Sequence, residues 1–184
     1  MYKMILAIFL LMAFLKAEDT LLMNWTYGSS AILNTPSIAK SVEGLGSKSK
    51  HWAPSMDFGI YGTLELVTEG LYGGFSWNYI ENKYRYTHSI YFLDSISLIY
   101  FLSGSDQGYY LRSDIGYSYH TLSGVSGLQT RETLDGVKRS SEIGGQLAAG
   151  YRFGIWSVSL HLHLLTIQGE AAVGTNFFIG LLLD

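Results

Sequence analysis

The sequence predicts an all-β protein: an eight-stranded antiparallel up-and-down transmembrane β-barrel behind a cleaved signal peptide. Three observations carry this. Apolar residues recur at every second position beyond residue 20, the period of a strand with two unlike faces. The composition favours strands, with 21 Gly, 14 Tyr and only 2 Pro in 184 residues. The basic residues almost entirely avoid the alternating stretches, which a water-facing sheet would not require. The chain is 48% hydrophobic and 15% charged and has no cysteine. That excludes a disulfide scaffold, a thiolate metal site, a cysteine nucleophile and an amino-terminal lipoprotein anchor. A formal charge of -3 argues against nucleic-acid binding and, with this hydropathy, against disorder.

Residues 1–17 read as an address. Lys3 forms the positive region, Met4 to Leu15 the apolar region, and Ala17 the small residue before Glu18-Asp19-Thr20. The apolar stretch is too short for a helical span, which needs roughly 20 residues. The mature domain is therefore expected over 18–184. Loss of Lys3 and Lys16 from the 12 basic residues leaves ten against 15 acidic ones.

The strands follow in order. Thr20 to Leu33 is a weak first strand holding Trp25 and Tyr27. In Met56 to Val67, Met56, Phe58, Ile60, Leu64 and Leu66 alternate with Asp57, Gly59, Tyr61, Thr63 and Glu65. Leu71 to Ile80 places Phe75, Trp77 and Tyr79 on one face. Ser89 to Leu102 is irregular, because Asp94 shares parity with Ile96 and Leu98; a bulge near Asp94-Ser95 would restore the alternation. Tyr109 to Leu122 sets Tyr109, Leu111, Ile115, Tyr117 and Tyr119 against Arg112, Asp114, Gly116, Ser118 and His120. Ile143 to Phe153 opposes Leu147, Ala149, Tyr151 and Phe153 to Gly144, Gln146, Gly150 and Arg152. Ser157 to Leu164 is the clearest, with Val158, Leu160, Leu162 and Leu164 opposite Ser157, Ser159, His161 and His163. Val173 to Leu183 completes the set, its second face blurred by Phe178 and Leu182. The short connections all fall at the end that holds both termini, and the long ones at the other.

Eight of the ten mature basic residues, Lys40, Lys48, Lys50, Lys83, Arg85, Arg131, Lys138 and Arg139, lie in the longer loops. Only Arg112 and Arg152 lie in strands. A lipid-facing surface excludes lysine, since a cationic side chain at the midplane costs about 2–4 kcal/mol. The apolar face is thus expected outward and the polar face inward, in a closed barrel whose backbone groups all pair internally. Asp57, Glu65, Arg112, Asp114 and Arg152 then point inside. Counted from their turns, Glu65, Arg112 and Arg152 should share one depth, with Asp114 a layer above. Together they are expected to form a salt-bridged plug, because isolated buried charges are penalised. The width of eight strands argues against a diffusion pore.

The export signal, strand number, alternation, aromatic content and loop asymmetry, with segments such as Gly108-Tyr-Tyr-Leu-Arg-Ser-Asp-Ile-Gly-Tyr117, resemble the small eight-stranded outer-membrane barrels of the OmpA-transmembrane and OmpX type. The resemblance covers residues 18–184. It implies a multi-pass barrel in the outer membrane of a Gram-negative-type bacterium, inserted by the barrel assembly machinery among lipid and lipopolysaccharide. It also implies a monomer without enzymatic activity or cofactor. One departure is the ending Leu181-Leu-Leu-Asp184, where such barrels usually carry an aromatic residue.

Two chemistries remain to be weighed. Some eight-stranded barrels are lipid A deacylases or acyltransferases, and on that reading the catalytic set is Ser159, His161 and Glu170. Same-face neighbours on a strand stand roughly 7 Å apart, so Ser159 reaches His161 only in favourable rotamers. Two polar interior histidines are the simpler reading, and His161 with His163 lacks a third metal ligand. The second is electrostatic. Lys48, Lys50, Lys138 and Arg139 are candidates for meeting lipopolysaccharide phosphates or an acidic host or envelope surface ligand. A soluble, exported lipid-binding barrel is the third class compatible with the pattern.

Overall fold

The computed structural model describes residues 21–32, 53–64, 67–83, 87–124, 138–167 and 170–184. Eight strands run β1 (Leu21–Ile32), β2 (Ala53–Thr63), β3 (Leu71–Lys83), β4 (Thr87–Phe101), β5 (Gly108–Gly124), β6 (Lys138–Phe153), β7 (Trp156–Ile167) and β8 (Glu170–Leu183). Each pairs antiparallel with the next, and β1 pairs with β8 to close the barrel. The up-and-down topology is the one the alternation predicts.

The register fixes the size. Laterally paired residues lead from Leu22 through Tyr61, Gly74, Ser97, Asp114, Gln146, His163 and Gly174 back to β1 at Ile32, ten residues beyond the start. With about 3.4 Å per residue and about 4.8 Å between strands, that stagger tilts the strands by about 42° and sets a backbone radius of about 8 Å. Side chains alone can fill such a tube.

Which face points inward is read directly on β7. Leu160, Leu162 and Leu164 are exposed, while Ser157, Ser159, His161 and His163 are buried. Trp25 at 66% and Tyr109 at 67% exposure show how fully the outer surface presents aromatic and aliphatic groups. Such a surface is stable against lipid rather than water. No helix among the described residues is long and apolar enough to cross a membrane, which says nothing of a β-barrel, whose strands pair every backbone group internally.

Several boundaries differ from the sequence pattern, and so do the connection lengths. At the end expected to hold only long loops, β3 to β4 and β7 to β8 are joined by three and two residues, against seven between β2 and β3 and six between β4 and β5 at the end with both termini. β3 runs on to Lys83 and β6 starts at Lys138, so three basic residues assigned to loops, Lys83, Lys138 and Arg139, lie at the outer ends of strands. Backbone pairing continues past the level where lipid dictates side-chain choice, and there the alternation stops being a guide. β2 ends at Thr63 rather than Val67 because the chain turns at Leu64, whose N–H donates to the Leu71 carbonyl at 2.7 Å.

The bulge expected at Asp94-Ser95 is absent. Trp77, Asp94 and Tyr117 are in lateral register, and so are Ser76, Ser95 and Gly116. Ser95 and Ser97 hold the alternation by pointing inward, where the Ser76 hydroxyl lies 2.7 Å from each. Asp94 is therefore left on the outer face.

The interior is layered. Leu22, Tyr61, Tyr72, Ile99, Phe101, Tyr110 and Leu182 form an apolar cluster at the end that holds both termini. These are the inward residues that blur binary patterning, Leu182 among them. Tyr72 and Tyr110 both pack against Phe101, at ring separations of 5.7 and 5.4 Å. The polar layers lie beyond this cluster, towards the outer strand ends.

Candidate functional site

The polar interior is organised around Arg112. From β5 its guanidinium engages Asp57 on β2 in a bidentate pair, Nη1 to Oδ2 at 2.6 Å and Nη2 to Oδ1 at 2.9 Å. Nε donates to both oxygens of Asp114, two residues along the same strand face, at 2.9 and 3.0 Å. Asp57 is fully buried, and Arg112 and Asp114 nearly so. Planar fork geometry suits arginine to this double role, which a lysine could not fill.

One cation between two carboxylates leaves a net negative charge, and neutral amides offset it. Asn24 of β1 donates its Nδ2 to Asp57, and Gln146 of β6 donates its Nε2 to Asp114. The Arg112 guanidinium also lies 5.6 Å from the centre of the Tyr61 ring, so the apolar plug supports the cluster from one side.

The network continues to β7. The Gln146 Oε1 lies 3.3 Å from Nδ1 of His161, and the His161 Nε2 lies 2.8 Å from the Ser159 hydroxyl. With Nδ1 protonated, His161 donates to Gln146 and accepts from Ser159. His161 and His163 stack at 6.3 Å, and Phe178 packs edge-on to His161 at 4.7 Å. Among the described residues no three His, Cys, Asp or Glu side chains converge as a metal site.

The residues singled out in the sequence are thus distributed differently from the single plug expected. Asp57, Arg112 and Asp114 meet. Arg152 does not join them: on the β5–β6 ladder Arg112 pairs with Ala148, whereas Arg152 pairs with Gly108. Four residues separate the two levels, about 14 Å along the strand. Counting from turns placed them together because it ignored the register stagger around the barrel. Glu65 lies outside the described residues.

Arg152 serves the rim. Its Nη1 bonds Asp106 Oδ2 at 2.8 Å, its Nη2 bonds Asp184 Oδ1 at 2.7 Å, and its Nε donates to the Gly154 carbonyl at 2.9 Å. The hydrogen bond from Arg152 holds the Asp184 carboxyl below its ordinary range. One side chain thereby ties the β4–β5 turn, the β6–β7 turn and the end of β8. A φ of 61° at Gly154 closes the second of these turns, in the left-handed region that favours glycine.

For the catalytic alternative, Ser159 and His161 are in contact but Glu170 is not their third member. Ser159 pairs laterally with Phe178, eight residues from Glu170 on β8, about 27 Å along the strand. Gln146 takes that position instead. Both Ser159 and His161 are buried inside the barrel. Among the described residues, neither presents the open, substrate-facing group that attack on a lipid ester requires. Of the basic loop set, Lys48 and Lys50 lie outside the described residues, while Lys138 and Arg139 open β6.

Sequence reasoning missed Asn24, Asp106 and Asp184. Asn24 sits in the weakest alternating stretch, and Asp106 in a turn whose fold had to be known first. Gln146 was on the inward face, but nothing local marked it as a partner for Asp114.

The barrel fold has known counterparts. Ail, the attachment invasion locus protein of Yersinia pestis, superposes with a TM-score of 0.55 at 8% identity, over 88% of this chain and 98% of that chain. Its complex with the heparin analogue sucrose octasulfate gives 0.59 at 4% identity, over 89% and 99%. Neisserial surface protein A gives 0.58 at 10% identity, over 89% and 96%. The fold is that of the small outer-membrane barrels. At such identities the likeness concerns architecture alone. No protein-family model matches the chain, and no curated protein sequence matches it.

Proposed function

We propose that this chain is a non-enzymatic barrel of a Gram-negative-type outer membrane, acting in envelope structure or surface interaction through its external loops. The observation that carries this is the closed interior: an apolar cluster at one end, and above it the Asp57–Arg112–Asp114 group bound to four strands through Asn24 and Gln146. A tube blocked in this way offers its outer loops as the surface that can meet a partner. Those loops and adjoining strand ends carry most of the mature chain's basic residues. The structural counterpart Ail is described in complex with a heparin analogue. The reading brings that chemistry here as a polyanionic glycan, of the cell's own lipopolysaccharide or of another surface, met by Lys48, Lys50, Lys138 and Arg139.

The test is a variant carrying Lys48→Glu, Lys50→Glu, Lys138→Glu and Arg139→Glu, refolded and checked by heat-modifiable gel migration. Binding of lipopolysaccharide vesicles and of sulfated oligosaccharide is then measured against salt. Wild-type binding should weaken steeply between low and physiological ionic strength, and the variant should lose most of it. Equal binding by both proteins overturns the glycan reading. A change in lipid A mass between cells with and without the protein overturns the non-enzymatic one.

A further inference from the structure

The outer face carries one anomaly that the interior does not explain. Asp94 lies among lipid-facing residues, in lateral register between Trp77 on β3 and Tyr117 on β5. Its Oδ1 has no hydrogen-bond partner. Asp94 is also the middle residue of β4. Counting six residues up from the exposed Tyr100, at the strand tilt given above, puts it about 15 Å above the rim, close to the midplane of an apolar band about 25 Å tall. Acyl chains offer a carboxyl group no hydrogen bond at that depth. Ionisable side chains inside a membrane face a cavity or pair with one another.

The depth selects the partner. What meets Asp94 must be a membrane protein that turns a polar group to lipid at the same level, where the outer surfaces of barrels are apolar. A second copy of this chain satisfies that condition. Copies inserted in one orientation are related by a two-fold axis along the membrane normal, and such an axis brings identical residues together at identical depth. A carboxyl group is moreover self-complementary, since the O–H of one donates to the carbonyl oxygen of the other.

The shape of the face allows the meeting. Strands tilted by about 42° on both barrels cross at about 84° where two outer surfaces touch, an orthogonal packing of sheets. Sheets in contact lie about 10 Å apart, a gap that two aspartic side chains bridge end to end. At the crossing, the row of Trp77, Asp94 and Tyr117 runs along β4 of the second copy. Members of that row stand about 4.8 Å apart, whereas outward residues of one strand stand about 6.8 Å apart. The two rings therefore settle on either side of the second Asp94, short of the Phe92 and Ile96 positions. A groove of about 260 Å³ around Asp94, lined by Phe75, Ile96 and Ile115 among others, gives them room. Four aromatic rings, two from each copy, then shield the carboxyl pair from lipid.

We propose that the β3–β4–β5 face docks a second copy of this chain, with the two Asp94 carboxyl groups hydrogen-bonded on a two-fold axis and Trp77 and Tyr117 of each copy closed around them. The inference rests on the placement of the barrel in a membrane and is independent of any ligand of the external loops.

The chain has no cysteine, so Ser105→Cys in the exposed β4–β5 turn carries a single fluorophore. Donor- and acceptor-labelled full chains are refolded together into vesicles of phosphatidylethanolamine and phosphatidylglycerol, and energy transfer is measured as the protein-to-lipid ratio rises. Heat-modifiable migration checks the fold of every variant, and flotation checks its insertion. Wild-type transfer should saturate. Asp94→Leu should need about tenfold more protein in the lipid to reach half-saturation. Asp94→Asn, whose amide is also self-complementary, should stay within about threefold of wild type. Wild-type transfer no greater than random encounter produces overturns the dimer. Equal transfer by wild type and Asp94→Leu overturns the role of the carboxyl group. A loss in Asp94→Asn as large as in Asp94→Leu overturns the hydrogen-bonded pair. A folded chain that does not float with the vesicles overturns the membrane placement, and this site with it.

Discussion

Replacing Arg112 by Met keeps most of the side-chain stem beside Tyr61 and removes the charge between Asp57 and Asp114. Both carboxylates are buried, and among the described residues each is left with one amide donor, Asn24 for Asp57 and Gln146 for Asp114. At an effective dielectric of about 20 and a charge separation of about 4 Å, each carboxylate loses about 4 kcal/mol of attraction. Breaking a buried pair from one side costs about 3–5 kcal/mol, because the remaining charge has no solvent to turn to. Here two carboxylates are orphaned, so the loss should reach the upper end of that range, more than a thousandfold in the folded-to-unfolded ratio. Replacing all three together, as Arg112→Met with Asp57→Asn and Asp114→Asn, removes the uncompensated charge and should return the barrel to within about 1–2 kcal/mol of wild type. Reversible urea unfolding in lipid vesicles, followed by tryptophan fluorescence and heat-modifiable migration, measures all three proteins. If Arg112→Met is as stable as the triple variant, the orphaned carboxylates are not what costs energy, and the reasoning fails.

The rim latch should respond to acid. Arg152 lowers the folded-state pKa of Asp184, so its contribution is present above the unfolded carboxylate pKa and lost as pH falls through the lower folded value. The protection factor of the Leu182 amide, whose N–H donates to the Ile155 carbonyl at 2.8 Å, should fall as pH drops through that folded value, and Asp184→Asn should show the lower protection already at neutral pH. Because Asp184 is half exposed, the global stability should change by less than about 1 kcal/mol. The inter-strand spacing is tested at Gly116, where an added Cβ would sit 1.8 Å from the Asp94 carbonyl oxygen. Gly116→Ala must push β4 and β5 apart and should cost about 1–3 kcal/mol in the same unfolding assay; a neutral result would mean that the two backbones are not in such close approach.

Much of the architecture was legible because lipid imposes a rule on every second residue. On β7, Val158, Leu160, Leu162 and Leu164 against Ser157, Ser159, His161 and His163 fixed strand type and face together. Less could be read where that rule does not act. Inside, a side chain has only to fill space or find a partner, so Tyr61, Phe101 and Leu182 could build an apolar plug beneath Asp57 and Arg112 without any periodic signature. Pairings such as Gln146 with Asp114 depend on lateral register, and register accumulates around the ring as a stagger that no single strand reveals. The same blindness put Arg152 beside Arg112 instead of at the rim. At Asp94 the rule was broken outright. A bulge would have repaired the pattern locally, but the serines at 76, 95 and 97 hold the ordinary pleat and leave the acid facing out.

The apolar plug at the end with both termini has, on the proposed function, a consequence for the cell rather than for the fold. On that reading a blind-ended barrel would add surface loops to an envelope without adding permeability, and its abundance would be uncoupled from leak. Many copies could crowd the same patch of membrane while the barrier to small toxic solutes stays as tight as the lipid allows.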